Sequence, residues 1–552
     1  MNALNPAQRA EALRAAKESR HDLVVVGGGI TGAGVALDGA ARGLSVVLLE
    51  AGDLAGGTSS RSGKTVHGGL RYLEQLNFSL VAEALRERDL LISRLAQHLV
   101  APEPFLYPLT RRWERPYIGA GVALYDALAL AGRRGANKAG VPYHRHLTRA
   151  AALRAAPGLN PELVHGGLRY HDGRMDDARL ALAVARTAAG HGARIVSHAR
   201  VVGLHRSGGR VTGVAAEDTL TGERFSVRCS VVVNAAGVWA ADVAALAGPP
   251  SFRVQPAKGV HLLLEPGAFD STTGILARAE DSVIILRKWF GYWLLGTTDT
   301  AYDGDRANPA VESTDVDYLL RNVNRYLAKP LDRSHVLGAY AGLRPLLAPA
   351  SDSATVTSAL SRDHTVLEEP NGLVTVVGGK YTTYRLMAAD AVDAAGRSLR
   401  RTLPPSPTAE LPLVGAAGWL AVANRLPRLA EEFDVPEPVL GRMLHRYGDE
   451  LPAVLAPITD DPALATPLPG AEEYLPVELR YAATHEGAQR LADVLDRRTH
   501  LSIERRDGAL SAAPAVASLL APLLGWDNAR RDRELDHYQS RLHLTVDRSR
   551  SG

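Results

Sequence analysis

The sequence predicts an α/β fold that is built on a Rossmann-type β-α-β unit and is followed by a separate all-α domain. Three observations support this prediction. A glycine-rich turn separates an apolar strand from an alanine-rich helix near the N-terminus, two later apolar strands also end in glycines, and apolar residues recur at helical spacing after a proline-rich segment.

The β-α-β unit occupies about thirty residues. An apolar strand at 22–26 leads into the glycine turn at 27–32, and an alanine-rich helix then runs to Gly43. A second apolar strand follows at 44–50. This order of strand, turn, helix and strand places a helix N-terminus where it can bind a pyrophosphate.

Individual residues of this unit fit an adenine dinucleotide. Gly27 permits the tight turn, Gly29 lets a phosphate approach the backbone, and Gly32 lets the helix pack closely on the strand. Glu50 ends the second strand, where its carboxylate can accept hydrogen bonds from ribose hydroxyls. The alternative is a glycine-rich turn in an α/β domain that binds no ligand.

The rest of the chain favours FAD over NAD. A short β-meander at 189–214 precedes a return strand at 231–237 that ends in Ala-Ala-Gly. A further strand at 373–377 ends in Gly378-Gly379-Lys380, and a helix is predicted over 381–399. Because a helix N-terminus carries partial positive charge, it would stabilise the negative charge that a flavin gains on reduction.

Composition excludes several classes of protein. The 552 residues carry 63 Lys and Arg against 60 Asp and Glu, so the net charge is +3, too balanced for a polybasic nucleic-acid binder. The only cysteine, Cys229, rules out an intramolecular disulfide and is expected to be buried in a strand. No apolar run approaches the ~20 residues needed to span a bilayer. Residues 1–20 predict an amphipathic helix, and they lack the apolar core of a secretion signal.

The segment at 58–72 follows the ribose-binding strand and carries candidate chemistry. Thr58, Ser59 and Ser60 are small hydroxyl residues that could hydrogen-bond a pyrophosphate. A histidine has an unperturbed pKa of about 6.5, so His67 could take a proton from an alcohol whose C–H leaves as hydride. An isolated histidine is otherwise most often a structural residue.

The hexapeptide His-Gly-Gly-Leu-Arg-Tyr occurs at 67–72 and again at 165–170. No similarity extends beyond the two copies, which argues against an internal repeat. The second copy precedes Met175-Asp176-Asp177, where an aspartate can cap a helix, and we assign this copy a structural role.

Three cationic residues lie in predicted loops or at strand ends: Arg344, Arg362 and Lys380. Arg71 lies four residues after His67. Arginine forks and a lysine point charge are suited to a phosphate dianion in a partly dry pocket. Taken singly, each could be a surface charge. No metal is expected, because the histidines and acids lack ligand spacing.

Two segments resemble the FAD-dependent, quinone-linked glycerol-3-phosphate dehydrogenase family. The stretch from Val26 to Gly43, with Asp38 and Arg42, is similar to the family's N-terminal signature, and the stretch from Gly378 to Ala388 resembles its second signature. Further family-like segments lie between them in family order: 67–72, 296–299, 342–345 and 361–363. The resemblance covers about residues 21–395, and 481–504 resembles the family's C-terminal helical domain.

The resemblance implies a domain organisation. It implies an FAD-binding domain of the glutathione-reductase/D-amino-acid-oxidase-like superfamily, an α+β substrate domain and a C-terminal all-α domain. We expect the FAD-binding domain at 21–100, 185–250 and 331–400 and the substrate domain at 101–184 and 251–330. A linker at 401–413 and the helical domain at 414–545 are expected to follow, with predicted helical stretches at 419–447, 472–501 and 512–524.

The resemblance also implies an activity. The family oxidises sn-glycerol 3-phosphate to dihydroxyacetone phosphate, passing hydride from C2 to flavin N5 and electrons to a membrane quinone. The implied catalytic residues are His67, Arg344 and Lys380, with His67 as general base. The implied substrate contacts are Arg71, Tyr72, Arg344, Arg362 and Lys380.

The expected FAD contacts come from four parts of the chain. They are Gly27, Gly29, Ile30, Thr31, Gly32, Glu50, Thr58, Ser59, Ser60, Lys64, His67, Gly68, Gly69, Val201, Ala236, Gly237, Trp239, Arg344, Gly379, Lys380, Tyr381 and Thr382.

Alternatives stay open at this point. A glycerophosphate oxidase would pass electrons to oxygen, an amine or amino-acid oxidase of the same superfamily would need one arginine and an apolar pocket, and a non-catalytic protein would keep the fold without flavin. A quinone acceptor implies a cytoplasmic protein, peripheral on the inner face of the membrane, that docks through the N-terminal stretch or a C-terminal helix. A homodimer is also expected from the family.

Overall fold

The structure is a computed structural model, and it describes residues 2–132, 140–280, 282–349 and 363–545. Two β-sheets with their covering helices form the first part of the chain, and helices form the part after residue 413. The expected order of a sheet-based α/β part followed by an all-α domain is therefore confirmed.

The first sheet has a parallel centre flanked by antiparallel strands. Its strands are β1 (Arg20–Val26), β2 (Val46–Leu49), β7 (Arg194–Val196), β8 (Ala199–Ser207), β9 (Arg210–Asp218), β10 (Arg224–Asn234), β17 (His364–Glu368) and β18 (Leu373–Gly378). The order is β17-β18-β10-β1-β2-β7, and the β8–β9 hairpin extends from β10. The pairs from β18 to β7 are parallel, whereas β17 and β9 pair antiparallel to their neighbours.

The second sheet is largely antiparallel and lies beside the first. Its strands are β3 (Thr65–Val66), β4 (Val100–Leu109), β5 (Arg145–Thr148), β6 (Gly166–Met175), β11 (Phe252–Leu264), β12 (Gly274–Arg278), β13 (Val283–Trp289), β14 (Tyr292–Gly296), β15 (Thr300–Ala301) and β16 (Val336–Pro349). The order is β15-β11-β14-β13-β12-β4-β6-β3, with β16 on β11 and β5 on β6.

Strands β16 and β3, which lie within the expected FAD-binding ranges 331–400 and 21–100, both pair into the second sheet. Strand β16 pairs along its length with β11, and β3 pairs with β6, which satisfies their backbone groups. The expected domain boundaries stay a prediction.

The helices of the sheet-based part are α1 (Pro6–Glu18), α2 (Ile30–Ala41), α3 (Phe78–Leu90), α4 (Glu114–Gly132), α5 (Arg149–Ala155), α6 (Asp177–Gly190), α7 (Ala240–Ala245), α8 (Ser313–Asn324) and α9 (Tyr384–Leu399). Helices α2, α6 and α9 pack on one face of the first sheet, and α1 and α7 pack on the other. The central strands are consequently buried on both faces, which explains the continuous valine and leucine runs of β1 and β2.

The C-terminal helices are α10 (Trp419–Ala423), α11 (Leu426–Phe433), α12 (Glu437–Tyr447), α13 (Leu451–Leu455), α14 (Pro476–Thr484), α15 (Leu491–Asp493), α16 (Leu501–Glu504), α17 (Ala513–Leu524) and α18 (Asn528–Thr545). They enclose two apolar clusters of their own. Within the described ranges, no helix combines the length and the apolar character that a membrane span requires.

The N-terminal helix packs on the first sheet, and the proline-rich segment is bonded to the helical segment that follows α3. Helix α1 buries Leu13 and Ala16, and Arg9 pairs with Asp218 at 3.0 Å, so its apolar face is covered by protein. In the segment 401–413, the Leu413 amide donates to the Leu95 carbonyl at 2.8 Å. The segment is therefore held against the folded protein and is not a free linker.

The two copies of the hexapeptide adopt different conformations. The copy at 67–72 forms a turn with Gly69 at φ +84° and then a 3₁₀ helix, whereas the copy at 165–170 runs into strand β6. Asp176 then caps α6 by accepting from the Arg179 amide at 3.2 Å, as expected. Cys229 is buried in β10, where burial raises the pKa of its thiol to about 12.

Buried ion pairs join the helical domain to the sheet-based part. Asp53 pairs with Arg497 at 2.5 Å and with Arg498 at 2.7 Å, and Arg179 of α6 pairs with Glu486. All of these side chains are almost fully excluded from solvent. Their pairing makes domain docking sensitive to the loss of either partner, because an unpaired buried charge is costly.

Replacing Arg179 tests this dependence. Arg179→Met retains the apolar stem but leaves the Glu486 carboxylate buried without its guanidinium partner, and we expect unfolding free energy to fall by about 3 to 5 kcal/mol. Urea unfolding followed by circular dichroism measures the change. Arg321→Met is the matched control, because Arg321 pairs with Glu280 on the exposed surface and no measurable loss is expected. Equal losses in the two variants would contradict the prediction.

His98 is buried at the same interface and predicts acid sensitivity. Burial, together with Arg179 and His445, lowers the pKa of His98 to about 3, whereas an unfolded histidine titrates at about 6.5. Between these values only the unfolded chain binds the proton, so stability falls as the pH falls.

We expect His98 to lower the free energy of unfolding of wild type by about 2 kcal/mol between pH 7.5 and pH 5. His98→Gln should lack this decrease. Urea unfolding at both pH values measures this difference. His537→Gln, at an exposed position on α18, serves as the control and should retain the wild-type difference. An unchanged difference in His98→Gln would show that this histidine does not carry the sensitivity.

Candidate active site

A cavity of about 1660 Å³ lies between the two sheets. It extends from the carboxyl ends of β1, β2 and β10 to strands β11 and β16, and the start of α9 borders it. Pockets for small molecules usually measure about 300 to 1000 Å³. The cavity is therefore large enough for a dinucleotide together with a small substrate.

The glycine turn brings three backbone segments into contact at one end of the cavity. Gly27 has φ +108°, and a Cβ there would lie 2.7 Å from the Ala235 carbonyl oxygen. A Cβ on Gly32 would lie 1.9 Å from the Gly27 oxygen. Because no larger residue fits, α2 begins directly at the cavity wall with Gly29 at its N-terminus. The Ile30 amide donates to Ser59, and the first-turn amide groups that no helical carbonyl accepts can form an anion site.

Glu50 lies beside this turn at the end of β2. Its carboxylate accepts hydrogen bonds from the Gly28 amide at 2.5 Å and from the Gly52 amide at 2.8 Å. Burial raises the pKa of Glu50, and the two amide donors counteract that rise. The side chain lines the cavity, where ribose hydroxyls would have a carboxylate acceptor.

The hydroxyl residues after β2 are engaged in the protein's own hydrogen bonds. Ser59 accepts from the Ile30 amide at 2.9 Å, and Thr58 donates to the Leu343 carbonyl at 2.6 Å. Lys64 donates to the Ser60 carbonyl at 2.9 Å and pairs with Asp177 at 2.5 Å. The Lys64 ammonium is thus part of a buried ion pair, and this residue does not line the cavity as the described residues define it.

The loop that carries His67 is fixed from two sides. The His67 amide donates to the Thr382 hydroxyl at 3.2 Å, which ties the loop to the turn before α9. The Gly68 amide donates to the Tyr125 hydroxyl at 2.7 Å, and Tyr125 donates to Asp172 at 2.7 Å. These bonds leave the His67 side chain half-buried at the cavity wall.

The predicted cations converge on the same space. The Lys380 ammonium lies 3.9 Å from the centroid of the Tyr72 ring. Arg71 donates to the Ser282 hydroxyl at 3.0 Å, and Arg344 pairs with Asp299 at 3.2 Å. Each of these side chains lines the cavity, so residues separated by about 300 positions in the sequence form one wall.

Most of the predicted site residues line this cavity. Those that do are Gly27, Gly29, Ile30, Thr31, Glu50, Thr58, Ser59, His67, Gly69, Arg71, Tyr72, Val201, Ala236, Gly237, Trp239, Arg344, Gly379, Lys380, Tyr381 and Thr382. Among the described residues, the predicted contacts that do not line it are Gly32, Ser60, Lys64 and Gly68. Arg362 lies outside the described residues.

His261 lies in the cavity wall, although no sequence motif points to it. This residue of β11 lines the cavity, and its ring stacks on Tyr340 with centroids 5.1 Å apart and planes 16° apart. Burial, reinforced by Arg344 and other nearby cations, lowers the pKa of His261 to about 3, so its imidazole is neutral. A histidine within an apolar strand gives no local signal, and only the β11–β16 pairing brings it here.

The helical domain also contributes to the cavity wall. Arg497 and Arg541 line it, and Arg541 pairs with Asp496 at 2.6 Å. None of the site residues predicted from the sequence belongs to this domain. Helical spacing alone cannot indicate where one domain meets another.

These features fit FAD. The glycine cradle at Gly27 and Gly32 and the start of α2 suit a pyrophosphate, and Glu50 suits a ribose. The 3₁₀ turn Tyr381–Thr383 and α9 begin at the other side of the cavity. Within the described ranges, no group of three His, Cys, Asp or Glu side chains could hold a metal ion.

Comparisons with protein families agree with this interpretation. Residues 22–385 match the family described as FAD dependent oxidoreductase. Residues 406–531 match the family described as C-terminal domain of alpha-glycerophosphate oxidase. The two matches together cover most of the chain, and the cofactor of the family is FAD.

Individual relatives extend the comparison. The chain is 48% identical to glycerol-3-phosphate dehydrogenase 2 of Mycobacterium tuberculosis over 99% of its own length and 92% of the relative. It is 33% identical to the mitochondrial glycerol-3-phosphate dehydrogenase of Bos taurus, over 99% of this chain and 77% of that one.

A solved structure shows the same architecture. The glycerol-3-phosphate dehydrogenase of Bacillus halodurans, complexed with FAD, is 27% identical, with a TM-score of 0.80 over 99% of this chain and 98% of that one. The motifs, the dinucleotide cradle and the full-length similarity therefore establish that this chain belongs to the FAD-dependent glycerol-3-phosphate dehydrogenase family.

Proposed function

We propose that this protein oxidises sn-glycerol 3-phosphate to dihydroxyacetone phosphate and passes the electrons to a quinone. One observation carries the proposal: His67, Arg71, Arg344 and Lys380 line the same cavity as the glycine cradle. A substrate with a hydroxyl and a phosphate needs a base and several cations next to the redox cofactor. The names of the relatives support the choice of substrate.

His67 is the proposed general base. Bound FAD would supply the hydride acceptor for the C2 hydrogen of the substrate. The C2 hydroxyl must lose its proton at the same time, and a half-buried imidazole at the cavity wall can take that proton. The hydrogen bonds of the His67 and Gly68 amides keep the loop in place during this transfer.

Arg344, Arg71 and Lys380 are the proposed ligands of the phosphate and the developing ketone, with Arg362 as a further candidate. Arg344 is oriented by Asp299 at 3.2 Å, and Arg71 is oriented by the Ser282 hydroxyl at 3.0 Å. An oriented guanidinium can offer two parallel N–H groups to a phosphate. The three side chains extend from different elements, so they can surround the substrate.

The quinone acceptor and the peripheral membrane location are part of this proposal. They are supported by the family resemblance, and a lipid-soluble acceptor requires contact with a bilayer. The homodimer expected from the family also stays a prediction. The competing proposal is an oxidase, which would pass the electrons to oxygen in place of a quinone.

A visible spectrum of the purified protein tests the substrate. We expect the absorption bands of bound oxidised flavin to bleach when sn-glycerol 3-phosphate is added without oxygen, because two electrons enter the flavin. Unphosphorylated glycerol is the control and should leave the bands unchanged at equal concentration, since it lacks the dianion. A colourless protein would point to a non-catalytic scaffold, and bleaching by amino acids alone would refute the proposed substrate.

The same reduced sample distinguishes the acceptors. Mixing with a short-chain quinone analogue is expected to restore the oxidised spectrum much faster than mixing with aerated buffer. Faster reoxidation by oxygen, with stoichiometric peroxide, would establish the oxidase instead.

Substitution of His67 tests the base. In His67→Gln we expect the anaerobic rate of flavin reduction to fall roughly 100- to 10,000-fold, because proton removal loses its acceptor. Stopped-flow absorbance measures the rate, and its saturation gives the substrate affinity, which should change little.

His165→Gln is the matched control, because His165 begins the identical hexapeptide but is exposed next to β6. It should reduce its flavin at the wild-type rate. A His67→Gln enzyme with a normal rate and a normal pH profile would exclude His67 as the base.

A further inference from the structure

The helical domain extends two arginines into the wall of the cavity. Arg497 lies in the helical segment Val494–Arg498, and Arg541 lies on α18. Both line the cavity, and Arg61 of the sheet-based part belongs to the same wall. We call Arg61, Arg497 and Arg541 the arginine cluster. Arginines grouped at a cavity wall are suited to bind an anionic ligand.

The arginine cluster is joined to the dinucleotide end of the cavity. The Ala55 amide donates to the Gly28 carbonyl at 3.0 Å, so the segment after Glu50 lies against the glycine turn. Asp53 of this segment lines the cavity and pairs with Arg497 at 2.5 Å. Arg497 is therefore held beside the cradle that suits a pyrophosphate.

Arg61 is tied to the same end of the cavity through a second contact. It donates to the Ala307 carbonyl at 2.8 Å, and the neighbouring Arg306 donates to the Val238 carbonyl at 3.0 Å. Val238 directly follows Gly237, one of the expected FAD contacts that line the cavity. The cluster thus lies close to the carboxyl ends of both β2 and β10.

Positive charge is in excess around the cluster. Within the described ranges, three acids and four arginines form one network: Asp53, Asp493, Asp496, Arg61, Arg497, Arg498 and Arg541. Asp496 is shared between two of the arginines, since it pairs with Arg541 at 2.6 Å and with Arg497 at 3.4 Å. Asp305 also attracts Arg61, but it is exposed to solvent.

The electrostatics of Arg61 reflect this excess. Burial lowers the pKa of its guanidinium to about 10, and repulsion by Arg541 and Arg497 acts in the same direction, against the attraction of Asp496. An anion in the cavity beside these groups would relieve the repulsion between them. FAD brings such an anion to the glycine turn, because its two phosphates are negatively charged.

We propose that the helical domain completes the FAD site: Arg541 and Arg497, together with Arg61, supply positive charge to the pyrophosphate of FAD. Because this charge comes from two domains, cofactor binding and docking of the helical domain should stabilise each other. The proposal rests on FAD as the cofactor and does not depend on the substrate or on the electron acceptor. It gives the helical domain a role in retaining the cofactor.

Substitution of Arg541 tests the charge. We expect Arg541→Met to raise the dissociation constant of FAD about tenfold to a hundredfold, because charge-assisted hydrogen bonds are lost. Dilution of the FAD-loaded protein, followed by the fluorescence of released FAD, measures this constant. Arg541→Lys retains the positive charge and should lose at most about a few-fold in affinity.

Arg531→Met is the matched control on the same helix. Arg531 is partly exposed, pairs with Asp532 at 2.9 Å and does not line the cavity as the described residues define it. This variant should bind FAD like wild type. An unchanged FAD affinity in Arg541→Met, or an equal loss in Arg531→Met, would overturn the proposal.

Asp496→Asn separates binding of FAD from a purely structural role. If Arg541 acts only by holding the domains together through Asp496, removal of either partner should weaken FAD binding to the same extent. If Arg541 supplies charge to FAD, Asp496→Asn retains the guanidinium and removes a competing carboxylate, so FAD should bind at least as tightly as in wild type. Equal losses in Arg541→Met and Asp496→Asn would therefore refute the proposal.

Hydrogen exchange of the unmodified protein tests the mutual stabilisation. We expect the backbone amides of α18 to exchange at least about tenfold more slowly with FAD bound than after FAD removal, since the coupling is reciprocal. Helix α11, which does not line the cavity within the described residues, should change much less. Equal changes in both helices, or none in α18, would contradict the coupling. No substrate enters these experiments, so a failure of the proposed reaction would leave their results unaffected.

Discussion

The close contact between two backbone segments at Gly27 and Gly32 determines where the rest of the site can lie. With a Cβ at Gly32 only 1.9 Å from the Gly27 oxygen, helix α2 can begin at the cavity wall only because both positions lack side chains. Gly27 in turn lies against the Ala235 carbonyl, which fixes β10 beside the turn. The arrangement brings the start of α2, the Glu50 carboxylate and the carboxyl ends of the first sheet's strands together, where they would suit the pyrophosphate and a ribose of the dinucleotide.

The helical domain depends on the same region. Asp53, three residues after Glu50, pairs with Arg497 and Arg498 in a buried network, and Arg497 lines the cavity. Because these charges satisfy one another only when the domains are docked, the domain interface and the wall of the cavity form together. The helical domain is therefore a structural part of the site, although its sequence carries no glycine turn and no predicted site residue.

Local features were predictable from the sequence, and features that depend on long-range packing were not. The β-α-β unit, the strand at 373–377 and the terminal helices were predicted, because their signals lie within a few residues. Lys64 was an expected FAD contact, but it pairs with Asp177, which lies more than one hundred positions away in the sequence. His261 gave no signal within its strand.

The repeated hexapeptide is the clearest case, since identical residues form a turn at 67–72 and a strand at 166–170. The prediction that Arg344 and Lys380 lie in one site with His67 came from the resemblance to a family.

The cavity has two chemically opposite ends, and this explains how one site can serve both proposed half-reactions. The wall formed by Arg71, Arg344 and Lys380 attracts a small dianion from water, whereas the mouth beside Leu76 and Leu124 favours an apolar ring. The cationic wall would therefore suit the proposed substrate, and the apolar residues at the mouth would suit a lipid-soluble acceptor.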